Sequence, residues 1–112
     1  MNTREAIDES IEHHERMSAW VEEMTDKEKG QKSTWEVMDD AIGEVWGDTD
    51  CALCRKFYPL DCEGGPNTCP LAMKYGKCTK SPRNAWRRLD QTKTWKGWLY
   101  HDRRLIKQLK SL

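Results

Sequence analysis

The sequence predicts a mainly α-helical single domain of about four helices, with a central cysteine-rich knuckle that binds zinc. Apolar residues recur at the 3.6-residue period of a helix in residues 1–47 and 81–112. Between these stretches, residues 48–80 hold all five cysteines of the chain. A chain of 112 residues has the length of one domain. Charged residues make up 34% of it, so the apolar core is small and a bound ion would add cohesion.

The first helix is predicted over residues 4–24. Thr3 is the expected N-cap, and acidic residues follow it in the first turn, where they suit the positive end of the helix dipole. His14 lies on the apolar stripe and is expected to be a core histidine with its polar atoms satisfied. His13 lies at the edge of the stripe and is a weaker candidate for a metal ligand from outside the cysteine segment. The stripe consists of Ala6, Ile7, Ile11, His14, Met17, Val21 and Met24.

A second helix is predicted after a polar loop at residues 25–32. Ser33 and Glu36 have the spacing of a capping box, and Gly47 is the expected C-terminal stop. The two helices should form an acidic antiparallel hairpin over residues 1–47. The expected buried face of the second helix consists of Trp35, Met38, Ala41, Ile42, Val45 and Trp46.

The cysteine-rich segment predicts a metal site. Cys51 and Cys54 form a C-x-x-C pair, which presents two sulfurs to one ion. Tetrahedral Zn²⁺ needs two further ligands, for which Cys69 and Cys78 are favoured and Cys62 is the alternative. The odd number of cysteines argues against a disulfide framework. No signal peptide is visible, which favours a cytoplasmic location, where thiols stay reduced.

Other interpretations of the cysteines stay open. Four cysteines can also hold an iron–sulfur cluster, and Cys69 is followed by Pro70, as a ligand of such clusters often is. The thiols could also bind no metal and lie buried or oxidised. A thioredoxin-type role for Cys51 and Cys54 is disfavoured, because that motif opens a helix after a strand and no strand pattern precedes it here.

The remaining helices are predicted from their start signals. A short helical turn is expected at residues 71–75. Ser81 followed by Pro82 indicates an N-cap and first turn of a third helix, and Thr92 or Thr94 caps a fourth. One side of the fourth helix is apolar. Its other side carries Lys96, Tyr100, Arg103, Arg104, Lys107 and Lys110.

The zero net charge of the chain conceals two oppositely charged halves. Residues 1–50 carry fifteen acidic and five basic side chains, a net charge of −10. Residues 71–112 carry twelve basic and two acidic side chains, a net charge of +10. Such asymmetry indicates interaction surfaces, or two halves that neutralise each other by packing together. No run of about 18 apolar residues is present, so no membrane span is predicted.

Several of these motifs together resemble an uncharacterised family of small cysteine-rich phage and prophage proteins. The family pattern is an S-I-x-H-W-x-R-M helix, then C-x-L-C, C-x-x-C-P, another cysteine and a (T/S)-P start. The first helix matches from Ser10 to Met17, with His14 in place of the family tryptophan, and the C-x-x-C-P element is stretched to span Cys62 to Pro70. The resemblance implies a phage-encoded accessory protein that acts on a host component.

Three functions are consistent with these features. The first is a non-enzymatic, zinc-stabilised protein that binds a host protein as an inhibitor or anti-defence factor, because no catalytic motif is present. Trp20, Trp86 and Trp98 are its candidate contact residues, since tryptophan dominates interface hot spots. The second is nucleic-acid binding through the basic face of the fourth helix. The third is a zinc hydrolase with an open metal position.

Overall fold

The computed structural model describes residues 2–47, 51–57, 69–77 and 81–112, and the predicted helical class is confirmed for them. Within these residues the regular secondary structure is helical, with one isolated β-bridge between Lys32 and Thr94. The described part of the chain shows no zinc knuckle. The helices are α1 (Thr3–Glu22), α2 (Asp26–Lys29), α3 (Trp35–Ile42), α4 (Ala52–Phe57), α5 (Pro70–Tyr75), α6 (Ala85–Asp90) and α7 (Trp95–Lys110).

Helix α1 is the longest element and forms one wall of the core. Its N-cap is Asn2 rather than Thr3, because the Asn2 side chain accepts a hydrogen bond from the backbone N–H of Glu5 at 2.8 Å. The predicted apolar stripe is largely buried. Ala6, Met17 and Val21 are fully excluded from solvent.

The segment between α1 and α3 differs from the prediction. Residues 25–32 were expected to be a loop, but Thr25 and Glu28 form a true capping box that starts α2. The predicted capping box at Ser33 is wrong: α3 begins after Thr34, which makes no side-chain cap hydrogen bond. Helix α3 also ends early, at Gly43, which adopts a left-handed conformation with φ of 68°.

The start of α6 was also predicted too early. Ser81 caps no helix. Its hydroxyl donates to the carbonyl of Tyr75 at 2.7 Å, and the residues after Ser81 form a turn. The N-cap is Asn84, whose side-chain oxygen accepts from the backbone N–H of Trp86 and whose amide donates to the carbonyl of Gly76. Asn84 is fully buried, so these two bonds satisfy a polar group inside the core.

Helix α7 begins as predicted at Thr94, whose hydroxyl accepts from the backbone N–H of Gly97. The first turns of α7 carry Trp95 and Trp98 into an aromatic cluster. Trp20 and Trp46 complete it, with the Trp20 and Trp95 ring centroids 5.3 Å apart and those of Trp46 and Trp98 5.5 Å apart. Edge-to-face packing of this kind adds about 0.5–1.5 kcal/mol per pair beyond the area buried.

The acidic and basic halves of the chain pack together. Helix α1 makes its most extensive contact with α7, while its contact with α3 is small. Glu22 of α1 pairs with Arg103 of α7, and Glu15 pairs with Lys110 at 3.0 Å. The acidic hairpin predicted from the sequence is therefore less important to the packing than the pairing of α1 with α7. Among the described residues, every helix falls short of the length and hydropathy that a bilayer crossing requires.

Two glycines at helix ends provide a matched test of this geometry. Gly43→Ala should destabilise the protein by about 1 kcal/mol, because a Cβ at φ of 68° is strained although no atom lies within 4 Å of it. Gly30→Ala should be neutral or stabilising by up to about 1 kcal/mol, because Gly30 has right-handed backbone angles and ordinary contacts. Urea unfolding measures both. Equal changes in the free energy of unfolding for the two variants would contradict the left-handed conformation of Gly43 at the end of α3.

Candidate metal centre

Three helices bring polar side chains together inside the core. Helix α1 contributes Ser10 and His14, which lie one turn apart on its buried face. Cys51 immediately precedes α4, and Asp102 lies on the buried face of α7. All four side chains are less than about a tenth exposed. We refer to Ser10, His14, Cys51 and Asp102 as the buried polar cluster.

Ser10 attaches the start of the cysteine-rich segment to α1. The Cys51 thiol donates to Ser10 Oγ at 3.0 Å, and the backbone N–H of Leu53 donates to the same oxygen at 3.0 Å. Ser10 is fully buried and Leu53 is 2% exposed. One hydroxyl therefore satisfies two donors of the segment where no water reaches.

His14 and Asp102 form the central bond of the cluster. His14 Nδ1–H donates to Asp102 Oδ1 at 2.6 Å, and the side chains are 1% and 0% exposed. Within the described residues, His14 Nε2 and Asp102 Oδ2 have no hydrogen-bond partner. His14 was predicted to be a fully satisfied core histidine. It is buried as predicted, but only one of its two ring nitrogens is satisfied.

The charges in the cluster depend on one another. Burial lowers the pKa of His14, but the charge of Asp102 and its hydrogen bond outweigh burial and raise the pKa to about 10. Burial raises the pKa of Asp102, against the opposing effect of His14. The hydrogen bond with Cys54 lowers the pKa of the Cys51 thiol to about 3, against burial and with help from His14 and Ser10. These interactions favour the thiolate of Cys51, and in that state the Ser10 hydroxyl donates to the sulfur across the same 3.0 Å contact.

His13 differs from its neighbour His14 in that both of its ring nitrogens have hydrogen-bond partners. Its Nδ1–H donates to Glu44 Oε1 at 3.0 Å and its Nε2–H donates to the carbonyl of Val45 at 2.9 Å. Arg16 also binds Glu44, with Nη2 to Oε1 at 2.7 Å. Both ring nitrogens of His13, the weaker ligand candidate from the sequence, are therefore engaged by Glu44 and Val45 in this structure.

The structure describes three of the five cysteines. Cys51, Cys54 and Cys69 are free thiols, of which Cys51 and Cys69 are buried and Cys54 is half-buried. Cys62 and Cys78 lie outside the described residues. Within those residues, no group of three or more histidine, cysteine or acidic side chains is arranged to hold a metal ion. The predicted ligand set therefore stays a prediction.

The order Cys51, His14, Asp102 is also that of a thiol nucleophile, its base and an orienting carboxylate. A nucleophile must reach its substrate, however, and Cys51 is only 4% exposed. Three surface grooves of the protein are each lined by other residues. The cluster is therefore buried and opens onto none of these three grooves.

The tryptophans chosen from the sequence are not the most exposed ones. Trp98 is fully buried in the aromatic cluster, so it offers no surface to a partner, and Trp20 and Trp86 are half-buried. Trp35 was predicted to be buried, yet it is 57% exposed. Met38 is instead the buried residue of α3.

The basic face of α7 is present as predicted. Tyr100 is 63% exposed, and Lys96, Arg103 and Lys107 are exposed near it on the same helix. Arg104 is half-buried and its Nη1 is 3.1 Å from His101 Nδ1. Two members of the predicted set, Arg103 and Lys110, are paired with carboxylates of α1.

Sequence reasoning missed Ser10 and Asp102. Asp102 was not singled out, although its spacing from Trp98, Leu105 and Leu109 places it on the apolar face of α7. An acidic residue on an apolar stripe was the available signal, because a buried carboxylate requires a partner. Comparison with protein-family models, curated proteins and solved structures gives no match to this chain.

Two serines on α1 test the anchoring of the cysteine segment. Ser10→Ala should lower the free energy of unfolding by about 1–3 kcal/mol, because the buried Leu53 N–H loses its acceptor. Ser18→Ala is the control, since Ser18 is also buried but bonds only to the carbonyl of Glu15 in its own helix. It should change stability by less than about 0.5 kcal/mol. Equal losses in urea unfolding would refute the anchoring role.

Glu44 should make stability depend on pH. Hydrogen bonds from Arg16 lower the pKa of the Glu44 carboxyl, burial opposes this, and the bond from His13 lowers it further. A lowered folded-state pKa contributes stability above the ordinary glutamate pKa, and this contribution is lost as the pH falls through the folded value. Glu44→Gln should therefore cost about 1 kcal/mol at pH 6.

The cost of Glu44→Gln should shrink as the pH falls through the lowered folded-state pKa of Glu44, because wild-type Glu44 is then protonated as well. Urea unfolding at pH 6, 4.5 and 3 measures this trend. Glu36→Gln, which alters an exposed carboxylate of α3, should stay within about 0.5 kcal/mol of wild type throughout. A cost of Glu44→Gln that does not vary with pH would contradict the ionic role of this carboxylate.

Proposed function

We propose that the protein is a non-enzymatic binding protein, stabilised by a structural Zn²⁺, that acts on a partner protein. The resemblance to phage proteins makes that partner a host protein, bound in the host cytoplasm as an inhibitor or anti-defence factor would bind it. The observation that carries the proposal is an exposed tryptophan in an acidic surface on α3. The metal secures the cysteine segment, and α3 makes the contact.

The metal part of the proposal rests on the chemistry of the cysteine segment. Three reduced thiols, Cys51, Cys54 and Cys69, are at least half-buried, and Cys51 is fixed against α1 through Ser10. Thiolates are the preferred donors of structural Zn²⁺, with Cys78 or Cys62 as the expected fourth ligand. A bound ion would cross-link short helices whose own contacts with the core are limited.

The proposed contact surface consists of Trp35, Glu36, Val37, Asp39 and Asp40, and we call it the Trp35 surface. Trp35 is 57% exposed and Val37 is 50% exposed, and the three acidic residues are exposed beside them. A shallow groove lined by Val45, Trp46, Gly47 and Asp90 adjoins it.

The chemistry of the Trp35 surface indicates the kind of partner. Residues 33–47 carry four acidic side chains and no lysine or arginine. A negative rim around an exposed indole and a valine complements a protein surface that has a basic rim and an apolar recess. The same rim repels phosphate groups, so this surface does not suit nucleic acid.

A second candidate function is nucleic-acid binding at a Tyr100 surface, which consists of Lys96, Tyr100, Arg103 and Lys107. An exposed aromatic ring among basic side chains can stack on a base while the cations contact phosphates. Its charge is reduced by Glu22, which pairs with Arg103. This pairing makes the protein partner the favoured proposal.

The two surfaces allow a crossed experiment. Trp35→Ala should weaken binding of a partner captured from host lysate by at least about tenfold, as expected for loss of a hot-spot tryptophan. Tyr100→Ala, which removes an equally exposed aromatic ring elsewhere on the protein, should leave that binding within about twofold. Surface plasmon resonance measures the binding of the purified partner to each variant, with and without nuclease treatment of the samples.

The opposite pattern would overturn the favoured proposal. If Tyr100→Ala abolishes retention on single-stranded nucleic acid and Trp35→Ala has no effect on any captured protein, the second candidate replaces the first. A partner with an acidic contact surface would also refute the argument from charge.

A further inference from the structure

A groove between α2 and α7 lies apart from the Trp35 surface and from the cysteine segment. We propose that this groove binds one nucleotide, free or at the end of a single strand, with the base stacked on Tyr100 and the phosphate held by Lys29 and Lys96. The site rests on the second candidate function, which also uses Tyr100, and it adds the size of the unit bound and a wall supplied by α2. It needs no protein partner at the Trp35 surface.

Each wall of the groove is one face of a helix. Lys96, Tyr100 and Arg103 follow one another at spacings of four and three residues, so they share one face of α7. Asp26 and Lys29 are three residues apart on α2 and share a face in the same way. The volume of the groove is about 390 Å³, within the roughly 300–1,000 Å³ of pockets that hold small molecules. Its lining consists of Asp26, Lys29, Lys96, Leu99, Tyr100 and Arg103.

Backbone hydrogen bonds hold the chain after α2 against the start of α7. The backbone N–H of Trp95 donates to the carbonyl of Gln31 at 3.2 Å, and the backbone N–H of Ser33 donates to the carbonyl of Lys93 at 3.0 Å. These two bonds lie on either side of the isolated β-bridge. The two walls are therefore in place before a ligand arrives, which lowers the cost of ordering the site on binding.

The lining combines an exposed aromatic ring with a buried apolar residue. Tyr100 is 63% exposed, and Leu99 beside it is buried. The Tyr100 ring contacts His101, with ring centroids 5.0 Å apart and an interplanar angle of 80°, so this contact occupies at most one of the two ring faces. A base can stack on an aromatic face whichever base it is, because every base has a planar π-system. An aromatic ring beside cations therefore fits a nucleotide better than an inorganic ion.

The cations of the groove are only partly neutralised. Lys29 is half-buried, and neither Lys29 nor Lys96 has an ion pair among the described residues. Arg103 donates from Nε and Nη2 to Glu22, which leaves Nη1 for a ligand. Of the six lining residues, Asp26 alone is acidic. Three cations against Asp26 and the neighbouring Glu22 leave a positive charge, which attracts phosphate.

Calorimetric titration of the full chain with adenosine monophosphate tests the site. One molecule should bind per protein chain, and added salt should weaken the binding because the phosphate contacts are screened. Adenosine and inorganic phosphate should each bind at least about tenfold more weakly, because each offers only one of the two kinds of contact. Absence of adenosine monophosphate binding would overturn the proposal, and so would equal binding of inorganic phosphate.

Two lysines of α2 form a matched pair of variants. Lys29→Gln should lower the affinity for adenosine monophosphate by at least about fivefold, because it removes a charge-assisted contact to phosphate. Lys27→Gln removes an exposed charge from the same helix outside the groove, and should leave the affinity within about twofold because salt screens it. Wild-type affinity in Lys29→Gln would overturn the proposal. Circular dichroism checks that each variant is folded.

Two substitutions of Tyr100 separate stacking from the hydroxyl group. Tyr100→Phe keeps the ring and should leave the affinity for adenosine monophosphate within about twofold, whereas Tyr100→Ala should lower it by at least about fivefold. A loss in Tyr100→Phe as large as that in Tyr100→Ala would contradict the stacking of the base.

Lys107 separates the groove from an open nucleic-acid surface. It belongs to the Tyr100 surface but does not line the groove. Binding of a short oligoadenylate should therefore fall in Lys29→Gln and stay within about twofold of wild type in Lys107→Gln. If Lys107→Gln weakens this binding and Lys29→Gln does not, the strand lies along the open face of α7, so the groove proposal fails while the second candidate function stands.

The two sources of the nucleotide are distinguished by affinity. An oligoadenylate that binds at least about tenfold more tightly than adenosine monophosphate, with the same dependence on Lys29, supports a strand end as the ligand. Similar affinities for the two support the free nucleotide. Trp35→Ala should bind adenosine monophosphate as wild type does, so failure of the protein contact would leave the groove proposal intact.

Discussion

The buried bond between His14 and Asp102 joins the two long helices on which the described structure is assembled. A carboxylate with 0% exposure is stable in a protein core only when a partner shares its charge or proton. The requirement fixes the register of α1 against α7, because a shift of one residue on either helix would separate the pair. Helix α4 then packs on α1, and α6 packs on α7.

The two neighbouring histidines of α1 show how position on a helix divides structural from chemical roles. His13 is turned towards residues 44–45, where two acceptors hold it and tie α1 to the chain that follows α3. His14 is turned towards α7 and the cysteine segment, and its Nε2 has no hydrogen-bond partner among the described residues. A rotation of 100° between consecutive residues therefore directs the two imidazoles to different parts of the structure.

Local chemistry made the long helices predictable, and long-range contacts made the rest difficult. The stripe of α1 and the Thr94 cap of α7 depend on residues a few positions apart, so the sequence displays them. The segment before α3, in contrast, is held by a bridge between Lys32 and Thr94, which are remote from each other in sequence. Ser81 had the pattern of a cap, but Asn84 is the N-cap of α6. The Asn84 side chain is buried and also donates a hydrogen bond to the carbonyl of Gly76.

The candidate site was predicted in part for the same reason. The C-x-x-C spacing is a local signal and drew attention to Cys51 and Cys54, which the structure shows as reduced and at least half-buried. Asp102 is 88 residues away from His14, so only the fold brings the two together. The sequence placed the end of α3 at Gly47, four residues beyond the observed C-cap at Gly43.

Five of the six indole rings fall into two groups with different environments, and Trp86, half-buried on α6, lies outside both. Trp20, Trp46, Trp95 and Trp98 are in contact with one another between α1 and α7, so their emission follows the integrity of the core. Trp35 emits from a largely aqueous environment at the surface. Blue-edge and red-edge fluorescence can therefore follow unfolding and surface occupancy separately, in one sample and without an attached dye.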